Sequence, residues 1–144
     1  MIIDEIKTIS TIDELIERYE QCWKSSFKSF DLLNNIIQSS NRKLREILTE
    51  ISISRSYYYK VINVEVTPSR DTLIELLIAY RADFSDVQAV LESFNYNGLS
   101  FQFKRDLIFI YAILHKKNLM FINYVLYDQK MNLLCKEVIR KRDD

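Results

Sequence analysis

A single histidine, His115, and a single glycine, Gly98, set narrow limits on the chemistry that these 144 residues can carry. One imidazole beside Lys116 and Lys117 reads as a surface group, and it leaves little material for a histidine-rich metal site or a Ser-His or Cys-His pair. One glycine cannot build a glycine-rich phosphate cradle. The neighbouring carboxylates Asp13 and Glu14 read as helix-cap residues, and the widely separated Cys22 and Cys135 as reduced, partly buried thiols. The expectation is a protein that is not an enzyme, with no catalytic residue, metal or cofactor. Basic residues are the exception. From residue 41 to 70 the chain carries Arg42, Lys43, Arg45, Arg55, Lys60 and Arg70 against only Glu46, Glu50 and Glu65, in a protein whose 20 basic and 20 acidic residues otherwise cancel. No global field draws this chain to a polyanion, so any affinity for phosphate must come from such local clustering.

The elements that hold these residues read as helices. With 48% hydrophobic residues and this length, one compact core is favoured over two full domains. One glycine and one proline disfavour a turn-rich sandwich or barrel, so the expected fold class is all-α. Thr11 and Glu14 form a capping-box pattern that opens an amphipathic helix over about 11–29, carrying Trp23 and Phe27. The apolar pattern then continues from Phe30 to Ile37 and ends at Ser39, Ser40 and Asn41. Further helices are expected over 42–50, over 54–62 capped by Ser54, over 70–81 capped by Ser69, and over 85–94 opened by Ser85 and Gln88.

Past the break at Asn95–Ser100, the apolar stretches Leu107–Leu114 and Leu119–Tyr127 fit buried helices or a hairpin. Their polar flanks, which extend them past usual strand length, favour helices. The longest apolar run is well short of the ~20 residues of a membrane helix, so no membrane partner is expected. The acidic N-terminal stretch lacks the features of a secretory signal, which points to the cytoplasm. The charge-rich tail 136–144 reads as a frayed helix end.

Residues 43–80, KLREILTEISISRSYYYKVINVEVTPSRDTLIELLIAY, carry a recognisable spacing. Ile47 and Leu48 fall as an apolar pair, Ser52, Ile53 and Ser54 as a turn, and Tyr57, Tyr58, Val61, Pro68, Ser69, Thr72 and Leu73 follow in register. In this spacing the chain resembles the repressor-like (Cro-like, XRE-type) helix-turn-helix family. It departs from the family pattern at Leu44, where a glutamine is common, at Leu48, where a small alanine is common, and at Val64, where a loop glycine is common. A valine does not readily take positive φ, so the loop at Val64 is expected to follow a different path.

The resemblance implies a DNA-binding regulator whose second helix enters the major groove. It places Arg55, Ser56, Tyr59 and Lys60 towards base edges, with Arg55 forked onto a guanine, and Arg42, Lys43 and Arg70 on phosphates. Tyr58 and Val61 match core positions, whereas Tyr57 and Tyr59 are compatible with packing, with stacking on a partner, or with a groove wall.

The expected organisation is an N-terminal helical segment over 1–40, a helix-turn-helix domain over 41–95 and a C-terminal segment over 96–144. The last would complete the core or form a homodimer interface on double-stranded DNA. The rival reading is a helix-turn-helix that has lost DNA binding and serves as an adaptor or inhibitor for a protein partner.

Overall fold

The structure, a computed structural model, describes residues 2–135, with the side chains of residue 2 and of residues 20–29 left aside. The expected tail helix over 136–144 and the side chains of Cys22, Trp23 and Phe27 lie outside what is described. Among the described residues every regular element is a helix: α1 (Ile2–Thr8), α2 (Ile12–Arg18), α3 (Glu20–Ser39), α4 (Leu44–Glu50), α5 (Arg55–Ile62), α6 (Arg70–Ala79), α7 (Phe84–Ser93), α8 (Lys104–Leu114) and α9 (Leu119–Asp128). None of these is long and apolar enough to cross a membrane.

Side-chain capping fixes the starts of α2, α5, α6 and α9. Thr11, Ser54, Ser69 and Asn118 each place a side-chain oxygen on the backbone N–H three residues on, satisfying a donor that the helix itself leaves unpaired. Two expectations change. The helix expected over 11–29 is divided at Tyr19, which closes α2 and opens α3, and α3 then runs unbroken to Ser39. Helix α7 starts at Phe84, and Gln88 does not close a capping box with Ser85: its amide brackets Leu99, accepting from the backbone N–H at 2.6 Å and donating to the carbonyl at 3.0 Å.

The helix ends share one device. Helices α5 to α9 each finish on a left-handed residue, Val64, Arg81, Asn95, Lys116 and Lys130, and none of these is glycine. After each, the next N–H bonds back to the carbonyl five residues earlier, as Glu65 does to Lys60 at 2.8 Å and Ala82 to Leu77 at 2.9 Å. These are Schellman closures, which pair carbonyls that the last turn would otherwise leave bare. Val64 therefore overturns the expectation that valine would divert the loop. It adopts φ of 63° and accepts the strain of a β-branched side chain there.

Helix α6 is the hub. Every residue from Leu73 to Tyr80 is buried, because α6 packs against α4, α7 and α9 at once and has no face left for solvent. Helix α7 packs on α3 and α8, and α8 pairs with α9. The resulting core is continuous from Leu33 to Cys135 and takes in Ile47, Ile51, Val61, Phe109, Ile122 and Leu126. The C-terminal helices thus complete the core around α4 and α5.

Two arginine forks bind α6 to α8 crosswise. Arg70 and Asp71 are adjacent at the start of α6, and Arg105 and Asp106 are adjacent at the start of α8. Arg70 grips both oxygens of Asp106 at 3.1 and 2.8 Å, and Arg105 grips both oxygens of Asp71 at 2.9 and 3.0 Å. Each fork also caps loop carbonyls: Arg70 those of Asn97 and Gly98, Arg105 those of Asn132 and Leu133. Bidentate pairs of this kind fix orientation as well as distance.

Candidate functional site

Helices α4 and α5 are joined by four residues, 51–54, and this connection is anchored from below. Ile51 and Ser52 are buried, and the carboxylate of Glu75 on α6 accepts the backbone N–H of Ser52 and, at 2.9 Å, its hydroxyl. Glu75 is only 2% exposed. A buried carboxylate is tolerated because the turn supplies it with donors, and in return it holds the turn to the hub helix. Cys135 lies close by. Burial pushes its thiol up from the usual range and the charge of Glu75 adds to the shift, so it stays protonated.

From this turn α5 rises with two distinct faces. Tyr58 and Val61 are buried, and the Tyr58 hydroxyl meets that of Tyr80 at 2.5 Å. Burial raises both phenols above their usual range, with the mutual hydrogen bond raising Tyr80 further and partly offsetting the rise at Tyr58. The opposite face carries Arg55, Ser56, Tyr59 and Lys60, all exposed. At about 3.6 residues per turn, positions 55, 56, 59 and 60 share one side of a helix. Of the two tyrosines left open by the sequence, Tyr57 packs against the core and Tyr59 stands outward, with its ring edge-on to that of Tyr58 at 5.6 Å.

The basic residues separate into two kinds. Arg42 is a clamp: it takes both oxygens of Glu50 at 2.8 and 2.6 Å, donates to the Ala79 carbonyl at 2.7 Å and stands 3.6 Å from Glu46. Arg70 is likewise committed to Asp106 and two carbonyls. Both were expected on phosphates; each fork is filled by a carboxylate here and would have to break that pair to take another anion.

Lys43, Arg45, Arg55 and Lys60 are exposed and have no ion pair among the described residues. Arg42 thus does more than hold α4 to α6. By pairing with Glu50 and standing 3.6 Å from Glu46, it offsets one of those two carboxylate charges, and Lys43, Arg45, Arg55 and Lys60 keep the local surplus positive. The first turn of α5 contains no acidic residue, so the positive end of its dipole adds to Arg55. Arg45 belongs to this set although it matched no expected contact position; its place in the basic run was the available signal.

What the face offers is hydrogen-bond donors and positive charge with no general base among them. The remaining candidates lie elsewhere. His115 is exposed at the end of α8, with its ring 4.2 Å from that of Tyr111, and Asp13 and Glu14 occupy the first turn of α2.

No protein-family model, curated protein or solved structure matches this chain.

Proposed function

We propose that α4, the 51–54 turn and α5 form a helix-turn-helix of the repressor-like kind, and that the protein is a transcriptional regulator binding double-stranded DNA through it. The observation that carries this reading is the outward face of α5, where Arg55, Ser56, Tyr59 and Lys60 stand exposed with their cations unpaired, backed by a helix start free of acid.

In a major groove, Arg55 near the start of the helix would present its fork to a guanine, and Lys60 would reach a base edge or phosphate one turn on. Lys43, and with it Arg45, would meet phosphates. The burial of Tyr58 and Val61 supports the same orientation, since the packed face fixes which side the helix shows.

A second reading has one observation in its favour. Leu44 packs partly into the core where the family commonly has a glutamine that touches the DNA backbone, so one side-chain donor is missing, as suits a module that binds protein instead. Titration of random duplex DNA with the protein at two salt concentrations separates the two. The DNA reading expects binding that weakens steeply with salt, and the interaction-module reading expects none above a neutral control protein.

A further inference from the structure

The loop between α7 and α8 holds two phenylalanines clear of the protein. Phe101 and Phe103 are 71% and 62% exposed and stand on either side of Gln102, itself exposed. The backbone that carries them is fastened residue by residue. Arg70 caps the carbonyls of Asn97 and Gly98, the Gln88 amide brackets Leu99, Asp106 accepts the N–H of Ser100 at 3.1 Å, and the Ser100 hydroxyl accepts the N–H of Gln102 at 3.2 Å. A slack loop would let such rings fold back onto apolar surface. This one is held in place, and neither ring is among the residues packed against the core.

We propose that Phe101 and Phe103 make a second DNA contact, wedging between the bases of a step that flanks the site read by α5 and bending the duplex there. The inference rests on the DNA reading and deepens it. Three observations favour DNA as the occupant.

The first is place. The loop is tied to the segment by which the chain leaves α5: the Tyr96 hydroxyl donates to the Pro68 carbonyl at 2.7 Å, and Arg70, two residues beyond Pro68, reaches across to Asn97 and Gly98. The second is size. Together the two rings expose on the order of 250 Å², about a third of the ~800 Å² that each side contributes to a standard protein interface. A wedge needs no more. Inserted phenylalanines partly unstack a base step and kink the duplex by roughly 20–90°.

The third is charge. No acidic residue occurs from Phe94 to Arg105, and Asp106 is buried and gripped by Arg70. Lys104, next to Phe103, is exposed and has no ion pair among the described residues. A phosphate beside the opened step therefore meets a free cation and no exposed carboxylate from this loop. The cost of unstacking is offset because the bent duplex covers more protein surface.

The test uses the duplex that the full chain selects from random DNA, extended on both sides by alternating A·T pairs and labelled with a donor and an acceptor dye at its ends. The wild type is expected to raise energy transfer between the dyes and to make flanking thymines reactive to permanganate, as unstacked thymines are. A chain carrying both Phe101→Ala and Phe103→Ala should lose both signals and bind at least fivefold more weakly, with unchanged circular dichroism and the same base preference at the Arg55 position. Leucine at both positions should keep the bend, because leucine also wedges. Met120→Ala, which removes an equally exposed apolar side chain from α9, should change neither signal. A wild type that binds this duplex but leaves it straight and unreactive, as rings reserved for a protein partner would give, overturns the proposal while the DNA reading stands. So does a double alanine variant that bends the duplex as the wild type does. A wild type that binds no duplex at low salt overturns both.

Discussion

The buried carboxylate of Glu75 accepts both donors of Ser52, its backbone N–H and its hydroxyl, and so joins the α4–α5 turn to the hub helix at its most enclosed point. Removing the acceptor strands a buried N–H, whereas removing the hydroxyl leaves the backbone bond in place. Glu75→Ala is therefore expected to cost about 2–4 kcal/mol, and Ser52→Ala about 1 kcal/mol. Urea denaturation of the two variants checks the order. Equal losses would show that the backbone bond contributes little.

Val64 is expected to gain from substitution. A β-branched residue in the left-handed region costs about 1–2 kcal/mol, and glycine returns part of that gain through the extra freedom of the unfolded chain. Val64→Gly should then stabilise the protein by about 0.5–1 kcal/mol, seen as a melting temperature a few degrees higher. A lower melting temperature would show that the Val64 side chain contributes packing that outweighs its strain.

The arginines should divide sharply in stability. Arg70→Ala leaves the 8%-exposed side chain of Asp106 with one backbone donor, from Ser100, and no counter-charge. A loss of about 2–4 kcal/mol is expected, while Arg55→Ala should change stability by less than about 0.5 kcal/mol. Chemical denaturation of both decides it, and comparable losses would contradict the separation of clamps from free cations.

Alkaline stability follows from the tyrosine pair. The folded protein holds the protons of Tyr58 and Tyr80 more tightly than the unfolded chain does, since burial raises both phenols above their ordinary value of 10.0. Below about pH 10 the phenols are protonated in both states and the pair's contribution is whole; above it the unfolded chain releases protons first and stability falls. Replacing both by phenylalanine should flatten the decline in urea midpoint between about pH 9 and 11. An unchanged slope would place the alkaline sensitivity elsewhere.

What the sequence made legible was local. Ser54 and Ser69 cap the helices expected of them because a capping side chain reaches only three residues along the chain. The α8–α9 pair was legible through the polar flanks that extend its apolar stretches past strand length, since apolar spacing alone also fitted a hairpin. The break at Tyr19 was not, because apolar residues recur at helical spacing on both sides of it. The left-handed turn at Val64 was not legible because residue preference alone does not show the Schellman bond from Glu65 to Lys60 that enforces the geometry.

Distance along the chain hid the rest. Arg42 and Arg70 looked like free cations because their carboxylates lie 8 and 36 residues away, and Glu75 gave no sign that it would reach back 23 residues to the turn. At the site itself the outward residues of α5 were readable. Which charges would remain unpaired was not.

The role of the Arg55 face is tested most directly by duplex affinity at two salt concentrations for the wild type, Arg55→Ala and Lys43→Ala, with a preferred site taken from a selection on random DNA. Arg55→Ala should lose roughly 1–3 kcal/mol at the preferred site and discriminate less at that base pair. Lys43→Ala should weaken binding to all sequences alike and reduce the slope of log K against log salt by roughly 0.9, the value of one lost phosphate contact. A wild type that binds no duplex at the lower salt contradicts the account outright, and so do two folded variants that bind exactly as the wild type does.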